Sequence, residues 1–298
     1  MGVKELVHLP DESFFRVITW EHDLSHITWV KSPTDQERTS GEGFRWHYHR
    51  ALELTCFFTG QGTRFVGDSI EGFEAGDVVL LGENLPHYWH VADSSSGVAI
   101  QFLLPPGHPL WSFSELSNLS RLLREASSGL HFDSATSKRM QGVLERIPLT
   151  SGVQRLGLLF SLLGEAIESL ESGCKRLSSK VFNLDSETSH EEAMRMTVHF
   201  ILTQYREEIR LEQVLDQAKM SKSTFSRVFR KYLGKNFREF LQEVRLEHVC
   251  RELRQTAKPV IEIALGAGFS EITFFNRLFR RTYSCSPTEY RERELEVP

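Results

Sequence analysis

The sequence contains no run of 18 or more apolar residues, which excludes a membrane-spanning helix. Its first stretch, MGVKELVHLPDESFF, lacks the apolar core of a signal peptide, so a cytoplasmic location with no membrane partner is expected. Cysteine is scarce: Cys56, Cys174, Cys250 and Cys285 are scattered and form no CxxC pair, so reduced thiols are expected. Positive charge is also short, with 35 Lys and Arg against 40 Asp and Glu, a net charge of -5 that taken alone argues against nucleic acid. What remains is an ordinary globular composition, 40% hydrophobic over 298 residues, long enough for two domains.

The distribution of charge reverses the argument from its sum. Residues 190–298 hold 19 Lys and Arg against 16 Asp and Glu, while residues 1–189 hold 16 against 24. Residues 221–235 carry five basic side chains and no acidic one. An acidic front and a mildly basic back divide the chain.

Residues 1–110 read as β. Alternating and apolar runs at Phe14–Trp20, His26–Val30, Leu52–Phe58, Thr63–Val66, Val78–Leu81 and Gly97–Leu104 are separated by turn signals such as Gly60-Gln61-Gly62 and Ala75-Gly76-Asp77. Short strands at this spacing indicate an all-β sandwich or barrel. After Pro105-Pro106-Gly107 the period becomes helical over 114–128, 134–147 and 151–171. Those apolar stripes must cover the domain's own sheet or pair with a second chain, so residues 111–172 are a candidate dimerisation segment. Residues 173–190 are polar and Ser-rich and read as a linker. Residues 191–298 read as all α.

The C-terminal part repeats. A shift of 50 places Phe225 on Phe275, Arg227 on Arg277, Phe229 on Phe279, Arg230 on Arg280, Lys231 on Arg281 and Phe240 on Tyr290. Before the turn the shift is 49, placing Leu211 on Val260, Val214 on Ile263 and Met220 on Phe269. Two copies of helix, tight turn and basic helix, at 211–234 and 260–283, therefore stand in tandem. Between them 237–255 reads as one amphipathic helix, with Phe237, Leu241, Val244, Leu246, Val249, Cys250 and Leu253 on its buried side. Ser270 opens the second basic helix, and a proline-led turn follows at Pro287.

The stretch IEIALGAGFSEITFFNRLFRRTYSCSPTEYR resembles the signature of the AraC/XylS family of bacterial transcription regulators. The resemblance covers 191–298 and implies an all-α DNA-binding domain of two helix-turn-helix subdomains joined by a linker helix. Three positions depart from the family pattern: in the first copy Leu215 stands at the small residue of the packing helix and Lys219 at the turn glycine, and in the second Ser284-Cys285 replaces a glycine before Ser-Pro. Helical spacing assigns Phe225, Val228, Phe229, Phe274, Phe275, Leu278 and Phe279 to the core. The groove-facing set is then Ser223, Ser226 and Arg227 in the first helix, and Ile272, Thr273, Asn276 and Arg277 in the second. Arginine can reach guanine and asparagine adenine through paired hydrogen bonds, and a methyl can meet thymine. Arg230, Lys231, Arg280 and Arg281 lie one turn on and suit phosphates.

In the front half, GEGFRWHYHRALELTCFFTG spaces His47, His49 and Glu53 by even numbers, which on an unbulged strand puts all three on one face. The spacing G-x5-H-x-H-x3-E-x6-G resembles the first cupin motif, and GDVVLLGENLPHYW resembles the second, with His87 after ten residues that follow Gly76. The resemblance implies a jelly-roll barrel with His47, His49, Glu53 and His87 inside. Three imidazoles and a carboxylate are a divalent-metal set. They equally suit a metal-free polar pocket for a small-molecule effector, or structural packing beside aromatics. Trp46, Tyr48, Tyr88 and Trp89 near the barrel mouth would stack on a sugar ring, so Trp46 and Trp89 join the effector-binding set.

The expected protein is thus a non-enzymatic, effector-responsive regulator of two domains, a cupin-like barrel with appended helices and a tandem helix-turn-helix domain. Its expected partners are double-stranded promoter DNA, a small-molecule effector of which a sugar is one candidate, a second copy in a homodimer, and RNA polymerase if it activates. The alternative is a metal-dependent cupin isomerase or dioxygenase fused to a DNA-binding domain. The sequence supplies ligands for such an enzyme but no separate general base.

Overall fold

The computed structural model describes all residues except 1, 2, 5, 6, 8, 10–12, 181, 183–189 and 296–298. The chain forms two compact units, Met1–Glu192 and Ala193–Pro298.

The first unit is built on strands β1 (Val3–Lys4), β2 (Phe15–His22), β3 (His26–Ser32), β4 (Asp35–Ser40), β5 (His47–Tyr48), β6 (Leu52–Thr59) and β7 (Gly62–Val66). They are followed by β8 (Ser69–Phe73), β9 (Val78–Leu81), β10 (His87–Val91), β11 (Ser95–Phe102), β12 (Leu130–Phe132) and β13 (Cys174–Arg176). They make a five-stranded sheet ordered β1-β5-β10-β7-β8 and an eight-stranded sheet ordered β13-β12-β9-β6-β11-β2-β3-β4. The pairings are antiparallel apart from β1 with β5. The expected strands are all present within a few residues. The sequence did not reveal β4, DQERTS, which is exposed throughout: an outermost strand needs no apolar face, and charge there blunts edge-to-edge pairing.

Helices α1 (Leu119–Ala126), α2 (Ser134–Leu144) and α3 (Gly152–Glu168) cover one face of the larger sheet. Leu119, Leu122, Met140, Leu144, Leu159, Leu162, Leu163 and Ala166 share one core with Val17, Leu52, Leu54, Val98 and Ile100. Their apolar stripes are therefore satisfied within the unit, at about 25 cal/mol per Å² removed from water. Arg155 of α3 clips the helix to β3 by donating from Nη1 to the carbonyls of Val30 and Lys31. The interval 111–172 is no separate segment: β12 interrupts it and extends the sheet.

The linker expectation needs correction at its front. Residues 174–176 form β13, paired with β12, and Ser178 and Ser179 hydrogen-bond the Asp68 carboxylate. A polar, Ser-rich run can still fold when its hydroxyls find a carboxylate and its backbone a sheet edge. The remainder of the expected linker lies mostly outside the described residues.

The second unit is α4 (Glu191–Gln204), α5 (Leu211–Ala218), α6 (Lys222–Leu233), α7 (Phe237–Gln255), α8 (Val260–Gly266), α9 (Ile272–Tyr283) and α10 (Pro287–Leu295). Both helix-turn-helix copies and the connecting helix lie where the repeat puts them. Three details differ. Pro287 opens a helix rather than a turn, since a missing N–H costs nothing in a first turn. Ser270 stands one residue outside α9, whose N-cap is Glu271 with no side-chain cap. And α7 is not one-sided: Phe240, Leu241, Val244, Leu246, Val249, Cys250 and Leu253 are buried together with Glu247 and His248, while Phe237 is half-exposed.

Candidate DNA interface and barrel site

The two copies in the second unit share the same turn, helix-end and capping-box hydrogen bonds. In the first turn the amide of Lys219 donates to Asp216 O (3.2 Å) and that of Met220 to Leu215 O (3.2 Å). In the second, Gly268 donates to Leu265 O (2.9 Å) and Phe269 to Ala264 O (3.1 Å). Both turns need a left-handed residue, filled by Lys219 (φ 53°) and Gly268 (φ 89°). Both basic helices end on another, Gly234 (φ 69°) and Ser284 (φ 57°), each closing to the carbonyl four residues back at 2.9 Å. Each copy then starts a capping box, Asn236 with Glu239 and Ser286 with Glu289. Phe240 meets Phe229 edge-on at 5.7 Å and 82°, and Tyr290 meets Phe279 at 5.6 Å and 87°. The departures at Lys219 and Ser284 thus leave the backbone unaltered and load strain on side-chain-bearing residues.

This scaffold fixes what α6 and α9 present. Phe225, Val228, Phe229, Phe275, Leu278 and Phe279 are buried, as expected. Phe274 is only half-buried, with the Arg277 guanidinium 5.8 Å from its ring centre. Ser223, Ser226, Arg227, Arg230 and Lys231 are exposed along α6, and Thr273, Asn276, Arg277, Arg280 and Arg281 along α9. Ile272 is half-buried against the core of its copy, so only part of it is available to a base. Ser221 caps α6 by accepting from Thr224 N at 3.3 Å. The electrostatic character is basic, with Arg230, Lys231, Arg280 and Arg281 also complementing the negative ends of their helices.

Residues 214–293 match the family model described as a helix-turn-helix domain. The second unit is an AraC-type helix-turn-helix domain. Three relatives frame it. The HTH-type transcriptional activator RhaR of Mannheimia succiniciproducens is 25% identical over 92% of this chain and 98% of its own length. An uncharacterized HTH-type transcriptional regulator of Haemophilus influenzae is 34% identical over 31% of each chain. The regulatory protein SoxS of Salmonella typhimurium is 28% identical over 35% of this chain and 98% of its own length. Such a domain binds DNA, and α6 and α9 carry its exposed arginines Arg227, Arg230, Arg277, Arg280 and Arg281.

In the β unit the structure brings His47, His49, His87 and Glu53 together, though not along one strand. His47 lies on β5, His49 just beyond its end, Glu53 on β6 of the other sheet and His87 on β10, directly opposite His47. All four are buried. Ring centres are 4.0 Å apart for His47 and His87, 5.0 Å for His49 and His87, and 5.7 Å for His47 and His49. Each Nδ1 lies 2.8 Å from a backbone carbonyl: Arg45 for His47, Ala51 for His49 and Leu85 for His87. His49 Nε2 is 3.1 Å from a Glu53 carboxylate oxygen, and His87 Nε2 has no hydrogen-bond partner among the described residues.

Two neighbours of Glu53 escaped the sequence reading. Thr55 Oγ1 donates to it at 2.6 Å and Gln101 Nε2 at 2.7 Å, while Arg16 Nε donates to Gln101 Oε1 at 2.7 Å. A signal existed: Gln101 is a lone polar residue in GVAIQFLL, and it pairs with Glu53 across β11 and β6. Burial pushes the Glu53 carboxyl up, but the hydrogen bond from His49 and the imidazoles of His87, His49 and His47 outweigh it and hold it well below the usual carboxylate range. Burial and then the neighbouring His47 push His87 well below the usual imidazole range, which keeps it neutral.

The cavity beside this cluster, lined by His47, Glu53, Thr55, Trp89 and Gln101 among others, has a volume of about 40 Å³. Trp89 packs with Phe57 and Phe73, and Trp46 is buried with its indole N–H unpartnered among the described residues. Neither stands at an open mouth. The sugar expected here meets a space far below the roughly 300–1,000 Å³ of small-molecule sites.

Proposed function

We propose that this chain is a transcription regulator that binds promoter DNA sequence-specifically through both copies of its AraC-type domain and receives its signal in the β unit. The observation that carries the reading is the pair of exposed arginine-bearing helices, α6 and α9, held by the same turn, cap and ring contact 50 residues apart. Arg227, Arg277 and Asn276 read base edges, Thr273 and the exposed part of Ile272 meet a thymine methyl, Ser223 and Ser226 hydrogen-bond nearby, and Arg230, Lys231, Arg280 and Arg281 hold phosphates.

The test is a gel-shift titration at fixed salt on DNA upstream of the protein's own gene. Arg277→Ala should weaken the specific site by about 1–3 kcal/mol and relax preference at one base, whereas Arg280→Ala should weaken all sequences alike. Unchanged affinity and preference in both variants would sink the assignment. Affinity should also fall steeply with salt, because phosphate contacts release counterions.

The enzymatic alternative is the weaker reading. Glu53, the carboxylate nearest the imidazoles, is held by Thr55, Gln101 and His49, which suits a fixed binding group better than a mobile base. A homodimer would have to use surface left over by α1–α3, where Leu149 and Val153 are exposed. RNA polymerase is a partner if the outcome is activation.

A further inference from the structure

The loop between α4 and α5 and the facing side of α7 carry a basic cluster that lies outside both reading helices. Its hub is the buried ring of His248. Arg251 Nη2 lies 3.1 Å from the ring Nδ1, and because a guanidinium can only donate, that nitrogen is the acceptor. The Tyr205 hydroxyl stands 3.1 Å from the same nitrogen and accepts in turn from Arg206 Nε at 3.2 Å. The Arg206 guanidinium also lies over the Tyr205 ring, 5.6 Å from its centre. One histidine and one tyrosine thus aim two arginines.

These partners hold Arg206 without neutralising it. Arg206 is exposed, and among the described residues no carboxylate bonds it: Glu208 pairs with Arg210 at 3.1 Å, and Glu207 is exposed with no bond to its neighbour. Burial and then Arg251 and Arg206 push His248 down to about 4, so at neutral pH the hub adds no charge and remains an acceptor. The charges acting most strongly on the ring are three cations, Arg251, Arg206 and Lys258, and one acid, Glu252, which already binds Lys258 Nζ at 2.9 Å. An exposed arginine held in one pose by neutral groups loses little rotamer freedom when its fork meets a phosphate.

The cluster is also continuous with the second reader. A Cβ on Gly268, the turn residue ahead of α9, would lie 2.6 Å from the carbonyl oxygen of Tyr205 and 2.8 Å from that of Arg206. From α7, Arg245 pins the carbonyls of Tyr205 and Glu207 at 2.8 Å each. The loop that leads into the first copy is therefore fastened to the turn of the second.

We propose that Arg206, aimed by Tyr205 and His248 and backed by Arg251, holds a backbone phosphate of the duplex between the stretches met by α6 and α9. The proposal rests on the reading of α6 and α9 as the DNA-contacting helices and adds a contact that fixes register without reading sequence.

The experiment uses the full-length chain in gel-shift titrations over a series of salt concentrations, on DNA upstream of its own gene and on a scrambled duplex of equal length. Arg206→Ala should weaken both duplexes alike, by about tenfold, and lower the slope of log affinity against log salt by about 0.9. Arg206→Lys should recover the slope. Tyr205→Phe keeps the ring and removes the hydroxyl that aims Arg206, so affinity should fall on both duplexes with the slope unchanged. Arg277→Ala is the control for the underlying reading. If it relaxes preference while Arg206→Ala leaves affinity and slope unchanged, the phosphate contact is wrong and the reading helices stand. A loss in Arg206→Ala at unchanged slope would mark a structural role and also overturn the proposal. If neither variant responds, both assignments fall.

Discussion

The two left-handed turn positions, Lys219 and Gly268, should respond to substitution with opposite signs. Lys219 is an L-residue at φ 53°, where the side chain crowds the following carbonyl and costs roughly 1–2 kcal/mol. Lys219→Gly relieves that strain and adds about 0.5–1 kcal/mol of unfolded-state entropy, so a net gain of about 0.5–1 kcal/mol is expected. Gly268 sits at φ 89°, and a Cβ there would lie 2.6 Å from the carbonyl oxygen of Tyr205 and 2.8 Å from that of Arg206. Those carbonyls cannot retreat freely, because Arg245 Nε donates to Tyr205 O at 2.8 Å. Gly268→Ala therefore adds left-handed strain to a backbone clash of about 1–3 kcal/mol, for a loss of about 2–5 kcal/mol in all. Two units need not unfold together, so the measurement is native-state hydrogen exchange by mass spectrometry, comparing peptides over 211–234 with those over 260–283. If Lys219→Gly speeds exchange, or Gly268→Ala leaves the second copy unchanged, the equivalence of the turns is wrong.

Two further outcomes follow from burial. His248 is pushed down to about 4, first by burial and then by Arg251 and Arg206. The folded unit therefore holds the neutral ring: its contribution is complete above the unfolded value of 6.5 and is lost as pH falls from there toward about 4. That amounts to about 3 kcal/mol at most, visible as faster exchange of the α7 amides at pH 5 than at pH 7, after correction for intrinsic rates, and weaker in His248→Gln. Leu159 is fully buried in the core shared by α3 and the larger sheet, so Leu159→Ala should destabilise the β unit by about 2–5 kcal/mol in urea unfolding followed by tryptophan fluorescence. A loss under 1 kcal/mol would mean that α3 is not part of that core.

How much of this was legible depended on whether a residue's role is set by its neighbours along the chain or across it. The tandem reader was legible because helical spacing and the 50-residue shift are local patterns. Phe225 with Phe275 and Arg227 with Arg277 announce a duplicated surface before any contact is known. His47, His49, Glu53 and His87 were legible as a set through their spacing. Their geometry was not: β5 ends at Tyr48, and the four side chains meet because two sheets face each other. The carbonyls that hold the imidazole Nδ1 atoms have no sequence signature, since any residue supplies a carbonyl. The strands β12 and β13 were hidden for the same reason. Three residues each, embedded in helical or polar stretches, they are strands only because β9 offers an edge.

The burial of α7 on more than one side has a consequence for how the two readers count base pairs. Leu246, Val249, Cys250 and Leu253 belong to the core of the second copy, while Phe240 meets Phe229 of the first edge-on. One helix of 19 residues, about 28 Å long, is thus a shared wall rather than a tether. If α6 seats in a groove as proposed, α9 would be presented to the next stretch of duplex at a high effective concentration, but over a narrow range of separations and angles. Such a ruler rewards one spacing between its two half-sites and penalises the rest, so the distance between them becomes information that neither recognition helix reads by itself.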